Sequence, residues 1–202
     1  MADKFWRKAR KAQERCGSPP VYPFFGQTNQ WPCSNHAAVN FLWKGEVATS
    51  SEAVYLPAKA EHFRFFTFAR ELRAIRNPKI QKRRMSTNRE LNRIAKDPKH
   101  SLSRSWATKK EGLMRRIVAA KFRGNAAARS ALLQTGDKYL VEASPFDRYW
   151  GSGIAATDPA VQEGPENPRF GMNRMGQILM QLRQSYQNQA ENLARHSASR
   201  SS

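Results

Sequence analysis

LVEASPFDRYWGSG, residues 140–153, is the stretch on which the reading of this chain turns. Tyr139, Leu140 and Val141 read as a short buried strand, and Ser144-Pro145 ends it because proline has no N–H to give a ladder. The loop that follows holds Asp147, Tyr149 and Trp150 within four positions and closes on Gly151 and Gly153. A carboxylate, two aromatic rings and two small residues on one turn can accept a hydroxyl, stack on a planar ring and let a ligand approach the backbone. The competing reading is an aromatic plug under a surface loop, with Asp147 capping a turn. Composition alone favours the plug.

Working outward, Thr135–Gly153 reads TG-x-x-x-LVEASP-x-D-x-x-WG-x-G, and Asn173–Arg183 reads N-x-x-G-x-x-LM-x-x-R. Toward the N-terminus stand Phe25-Gly26, Ser34-Asn35, a Gly-containing hairpin, and Ser51-Glu52 followed by Ala58-Lys59. In this order, over Phe24–Tyr186, the blocks resemble the NADAR family, proteins associated with NAD and ADP-ribose. The resemblance implies an N-glycosidase that cleaves the bond between C1 of a phosphorylated ribose and a nitrogen base. The base would belong to an early riboflavin-pathway intermediate or to ADP-ribosylated guanine in nucleic acid.

Thr49–Lys59 is the second focus. Thr49-x-x-Glu52 fits a capping box, in which Glu52 does no more than bond a backbone amide. Glu52, Tyr55 and Lys59 also fall at i, i+3 and i+7, on one helical face. A carboxylate and an amine there can serve as proton donor and nucleophile; the plain alternative is capping plus a surface ion pair. Pro57 removes the amide that would bond Ala53, so a kink is expected. The family pattern SEH-x-x-Q-x-x-K is only partly kept, since Ala53 stands for its histidine and Leu56-Pro57 for its glutamine region.

On that resemblance the catalytic residues are Glu52, Lys59 and Asp147. Glu52 or Asp147 would supply the acid or carboxylate function. A neutral Lys59 amine would capture ring-opened ribose as a Schiff base, which requires a depressed pKa; alternatively Lys59 holds a phosphate as a point charge. Trp150 would stack on the base. Gly151, Gly153 and Asn173 would shape and bond ribose or phosphates, and Phe25, Gly26, Ser34, Asn35, Tyr55 and Trp106 complete the substrate-binding set. No metal or redox cofactor is expected.

The 202 residues fit one domain with a proper core, and no apolar run approaches a membrane span. Cys16 and Cys33 are the only cysteines and lack zinc spacing, so a soluble, cytoplasmic protein in a reducing compartment is expected. The net charge of +19 is concentrated: Glu61–Arg129 carries twenty basic and five acidic residues. Such a region attracts polyanions, or is simply a solvated face. The second functional reading is therefore a non-catalytic module binding ADP-ribose or nucleic acid.

Along the chain, residues 1–20 read as a flexible basic arm and 21–195 as the folded domain. Ala60–Arg76 has helical spacing and ends at Asn77-Pro78. Residues 79–104 read as a basic insertion in which the family's AK-x-x-GR motif is not recognisable. Trp106–Phe122 and about Arg174–Arg195 are helical, Asn125 caps a helix that stops at Gly136, and 196–202 form a polar tail. The expected fold is α+β, mainly helical, a single compact domain with a small hairpin or sheet element.

Overall fold

Four short strands and eight α-helices are present among the described residues, which in the computed structural model are 3–17, 19–25 and 31–199. In chain order these are α1 (Lys4–Cys16), β1 (Val21–Phe24), β2 (Phe41–Trp43), β3 (Glu46–Ala48), α2 (Ser51–His62), α3 (Phe66–Ala74) and α4 (Pro78–Thr87). There follow α5 (Arg89–Lys96), α6 (Ser101–Gly124), α7 (Ala126–Gln134), β4 (Tyr139–Glu142), a 3-10 helix (Pro159–Glu166) and α8 (Arg174–Ala198). The class is thus α+β and mainly helical. The chain divides into two compact units, Met1–Cys33 with Ser130–Ser202, and Ser34–Arg129.

In the first unit β1 and β4 pair in parallel, from Val21 opposite Tyr139 to Phe24 opposite Glu142. Tyr139, Leu140 and Val141 are fully buried, as a parallel strand covered on its faces requires. Helix α8 lays Met175, Ile178 and Leu179 into this core. At the other end of the strand, Arg183 donates to Thr135 Oγ1 at 2.7 Å and to the Lys138 carbonyl at 2.9 Å, so it ties α8 to the turn before β4.

Residues 4–16, within the stretch read as a flexible arm from its charge, form a helix with a buried face. Helix α1 is capped by Asp3, which accepts from Phe5 N, and Gly17 closes it in the left-handed region at φ 67°. Phe5, Trp6 and Ala9 are buried. Trp6 donates from Nε1 to Glu166 Oε1 at 2.8 Å and meets Tyr139 edge-on at 5.5 Å. Tyr139 in turn donates to Asp3 Oδ2 at 2.6 Å, and burial together with that carboxylate drives its phenol pKa upward. A Cβ at Gly164 would stand 2.6 Å from the Trp6 ring, so that glycine is required by the approach of α1. The reading failed because Trp6 finds partners 133 and 160 positions away.

In the second unit β2 and β3 form the expected hairpin, with Lys44 and Gly45 at φ 52° and 86° in its two-residue turn. Helix α2 packs on α3 and α6, and Leu56, Ala60, Ala69, Leu72, Met114 and Ile117 of these helices are buried. The expected helix over Ala60–Arg76 is two helices, because Arg64 turns left-handed at φ 68° between α2 and α3. The basic insertion at 79–104 is largely helical. Asn77 caps α4 with Pro78 in its first turn, and Asn88 caps α5; Gln81, Met85 and Leu91 are the buried anchors. At the far end of the chain, α8 continues through Ala198, past the start assigned to the polar tail.

Replacing Trp6 by Ala should lower unfolding free energy by about 3–5 kcal/mol, the range for a buried large aromatic. Urea unfolding measures it; a loss below about 1 kcal/mol would restore the flexible-arm reading.

Candidate active site

The second unit holds Ser34, Asn35, Glu52, Tyr55, Lys59 and Trp106, and the first holds Phe25, Asp147, Trp150, Gly151, Gly153 and Asn173. Gly26 lies outside the described residues.

Helix α2 begins at Ser50, whose hydroxyl accepts from Ala53 N at 3.1 Å. The cap is therefore Ser50 and not the expected Thr49–Glu52 box. Glu52 N donates to the Asn35 carbonyl at 3.0 Å, which fixes the first turn of α2 against the Ser34–His36 turn. Pro57 lies within α2, which runs on through it as one helix.

Tyr55 is buried 5.4 Å from Trp106, and Trp106 also faces the His62 ring at 5.2 Å. His62 is held by a 2.9 Å hydrogen bond between its Nε2 and the Leu102 carbonyl. One turn beyond Tyr55, burial lowers the pKa of Lys59 below the ordinary 10.5. Glu52 pushes it back up, while Lys110 and Lys96 push it further down. These are the two conditions, desolvation and neighbouring cations, that make a lysine amine available as a nucleophile.

Ser34 and Lys121 are completely buried, and Lys121 Nζ donates to the Ser34 carbonyl at 2.7 Å. Ser34 Oγ accepts from His36 N at 3.2 Å. Around this turn Asn35 Oδ1, His36 Nδ1 and Ser51 Oγ are buried without a hydrogen-bond partner. Burial, then Lys82, Lys79 and Lys121, lower the His36 pKa to about 4, so its imidazole is neutral at physiological pH. His36 was missed in the sequence; its position directly after Ser34-Asn35 was the available signal.

In the first unit, the Asp147–Gly153 loop is folded on itself and on α8. Asp147 Oδ1 accepts from Tyr149 N at 2.9 Å and from Trp150 N at 2.8 Å, so this carboxylate serves the turn. Met172, Asn173, Arg174 and Met175 donate their amides to the carbonyls of Arg148, Gly151, Tyr149 and Trp150. The start of α8 is thereby satisfied by protein carbonyls. Asn173 is completely buried in the left-handed region at φ 46°; its side chain accepts from Glu142 N at 3.0 Å and donates to the Leu140 carbonyl at 2.8 Å. Both amide atoms of Asn173 are thus engaged with the backbone of β4. A Cβ at Gly151 would lie 2.7 Å from the Glu142 carbonyl, and Gly153 has φ 72°. Trp150 is half-buried, edge-on to Tyr149 at 5.2 Å.

The NADAR domain model matches residues 5–187. The chain belongs to the NADAR family. N-glycosidase YbiA of Escherichia coli is 29% identical over 151 residues, which cover 75% of this chain and 78% of YbiA. The NMR structure of E. coli YbiA covers 87% of this chain and 89% of its own, with a TM-score of 0.58 and 28% identity. An N-glycosidase of Acanthamoeba polyphaga mimivirus is 45% identical over 67 residues, 33% of this chain and 38% of its own. The NADAR match begins at Phe5, which agrees with α1 being part of the fold. It also gives the N-x-x-G block a structural meaning: Asn173 completes β4, and at Gly176 any Cβ would stand 2.1 Å from the Leu140 carbonyl.

Asn173→Ala should leave Glu142 N–H and Leu140 C=O buried and unmatched, at about 1–3 kcal/mol for each group. Unfolding that is unchanged, with substrate affinity lost instead, would return Asn173 to a ligand-binding role.

Proposed function

We propose that this chain hydrolyses the N-glycosyl bond between a phosphorylated ribose and a nitrogen base, with Lys59 as nucleophile and Glu52 as acid. Likeness to N-glycosidases over three quarters of the chain supports the bond type. The observation that carries the residue assignment is Lys59, desolvated on the face it shares with Glu52 and subject to its charge. With Asp147 engaged in its own turn, the acid function falls to Glu52.

The chemistry balances with these groups. The Glu52 carboxylate takes a proton from the Lys59 ammonium, the freed Nζ forms a bond to C1, the bond from C1 to the base nitrogen breaks, and Glu52 gives the proton to the departing nitrogen. Opening of the ribose ring leaves a Schiff base, which water hydrolyses to ribose phosphate and free amine. Asn35, His36 and Ser51 offer unmatched polar atoms to the ribose hydroxyls.

The pair must share one proton, so the rate should fall as pH rises through the Lys59 pKa, with an inflection below 10.5 because that pKa is lowered. Glu52→Gln should cost about 10²–10⁴ in rate, the contribution of a positioned proton donor. Lys59→Ala should abolish turnover, and borohydride added during turnover should leave a ribose adduct on the Lys59 peptide. Turnover without an adduct would assign the attack to water.

A second reading concerns what carries the base. Between Glu61 and Arg129 only five acids face twenty basic residues, and Glu61, Glu71 and Glu90 are already paired with Arg73, Arg84 and Arg93. This excess favours a substrate attached to nucleic acid. Binding of an oligonucleotide should then weaken with salt at a logarithmic slope of about −0.7 to −0.9 per phosphate contacted. No binding at low salt would leave the free riboflavin-type nucleotide as the substrate.

A further inference from the structure

Lys121 on α6 has no exposed surface, and an ionisable side chain is costly to keep at such a position. A methionine of similar length would fill the same space without burying an amine. What methionine cannot supply is the N–H that Lys121 Nζ donates to the Ser34 carbonyl at 2.7 Å. That carbonyl also accepts from Ala37 N at 3.2 Å, so Lys121 holds the atom that closes the Ser34–Ala37 turn.

The turn passes this anchorage on to α2. Within it the Ser34 hydroxyl accepts from His36 N at 3.2 Å, and the Asn35 carbonyl accepts from Glu52 N at 3.0 Å. Glu52 N lies in the first turn of α2, where amides have no helical partner, so the Asn35 carbonyl fixes it from outside the helix. Two hydrogen bonds and one peptide link therefore connect Lys121 Nζ to the backbone of Glu52. All these groups belong to the second unit, and α6 meets α2 again where Trp106 faces Tyr55 and His62.

We infer that Lys121 is a positioning residue: it holds the Ser34–Ala37 turn, and through it the first turn of α2, so that the Glu52 carboxylate acts on Lys59. It touches neither the substrate nor the transferred proton. Its catalytic consequence rests on the Glu52–Lys59 reading proposed above. Its effect on Lys59 belongs to the free protein and is measurable without turnover.

The sign of that effect separates positioning from other consequences of losing Lys121. Burial, Lys110 and Lys96 lower the Lys59 pKa, and Glu52 raises it. Lys121 is itself a cation that lowers the pKa of His36, so deleting its charge can act directly on Lys59 only by raising the pKa. General loosening of the fold raises it as well, because water returns to a buried amine. A Glu52 carboxylate that drifts away from Lys59 lowers it.

The test is titration of Lys59, followed by NMR at its ε-carbon, in the full chain and in Lys121→Met. Ala37 N still reaches the Ser34 carbonyl in this variant, so the turn stays closed and the chain should fold. The Lys59 pKa should drop in Lys121→Met, in the same direction as in Glu52→Gln. Adding Lys121→Met to Glu52→Gln should lower it no further, since both act through one carboxylate. Glycosidic kcat should fall about 10²-fold, the cost of a misplacement of about 1 Å. A Lys59 pKa that rises or stays the same in Lys121→Met would overturn the inference. A parent that cleaves no glycosidic bond defeats the proposed reaction alone, because the titration is read without substrate. In the parent, the Glu52 amide should be protected from hydrogen exchange despite its place in a first helical turn. Exchange of that amide at the rate of an unfolded chain would overturn the inference without recourse to a variant.

Discussion

A two-stranded parallel sheet buried within a protein has edges that water cannot satisfy, and the first unit is organised around closing one of them. Strand β4 pairs with β1 on one side. On the other side its Glu142 amide and Leu140 carbonyl meet the side-chain amide of Asn173 in place of a third strand. That substitution forces the start of α8 against β4, which only glycine at 176 permits. The same start of α8 donates four successive amides to the loop at 148–151, so loop and helix hold one another. Strand, loop and helix are one hydrogen-bonded assembly, and Asp147, Gly151 and Asn173 are among its joints.

The second unit follows a different rule. Its helices bury ordinary apolar stripes, and the polar groups that remain inside are gathered on the two faces of α2. On one face lie Lys59 and, beside the first turn, Asn35, His36 and Ser51. Near the other stands Gln81 of α4, whose Oε1 is also buried without a partner. Unmatched buried polar atoms are uncommon in folded proteins, and here Asn35, His36 and Ser51 gather three of them around one turn.

The class, the hairpin, the buried strand at Tyr139 and the long helices α6 and α8 were legible because each is a local pattern of apolar residues and turn residues. What escaped depended on distant partners. The charge of α1 concealed Trp6, whose burial rests on Tyr139 and Glu166. Asn77-Pro78 was legible as a stop for one helix, yet it is the start of the next, since proline suits a first turn as well as it ends a preceding one. Asn173 and Asp147 are the residue types that bind ligands, and they are equally the types that replace backbone partners; spacing within a motif does not distinguish the two uses.

The proposed activity depends on the ionisation of one amine. Burial and the charges of Lys96 and Lys110 favour neutral Lys59, and the Glu52 carboxylate alone among these influences opposes them. Titration of Lys59 followed by heteronuclear NMR of its ε-carbon tests this directly. The pKa should fall below 10.5 in the parent protein, and further in Glu52→Gln, where the opposing negative charge is removed. A Lys59 that titrates at or above the ordinary lysine value, unmoved by Glu52→Gln, would contradict the assignment of that amine as the nucleophile.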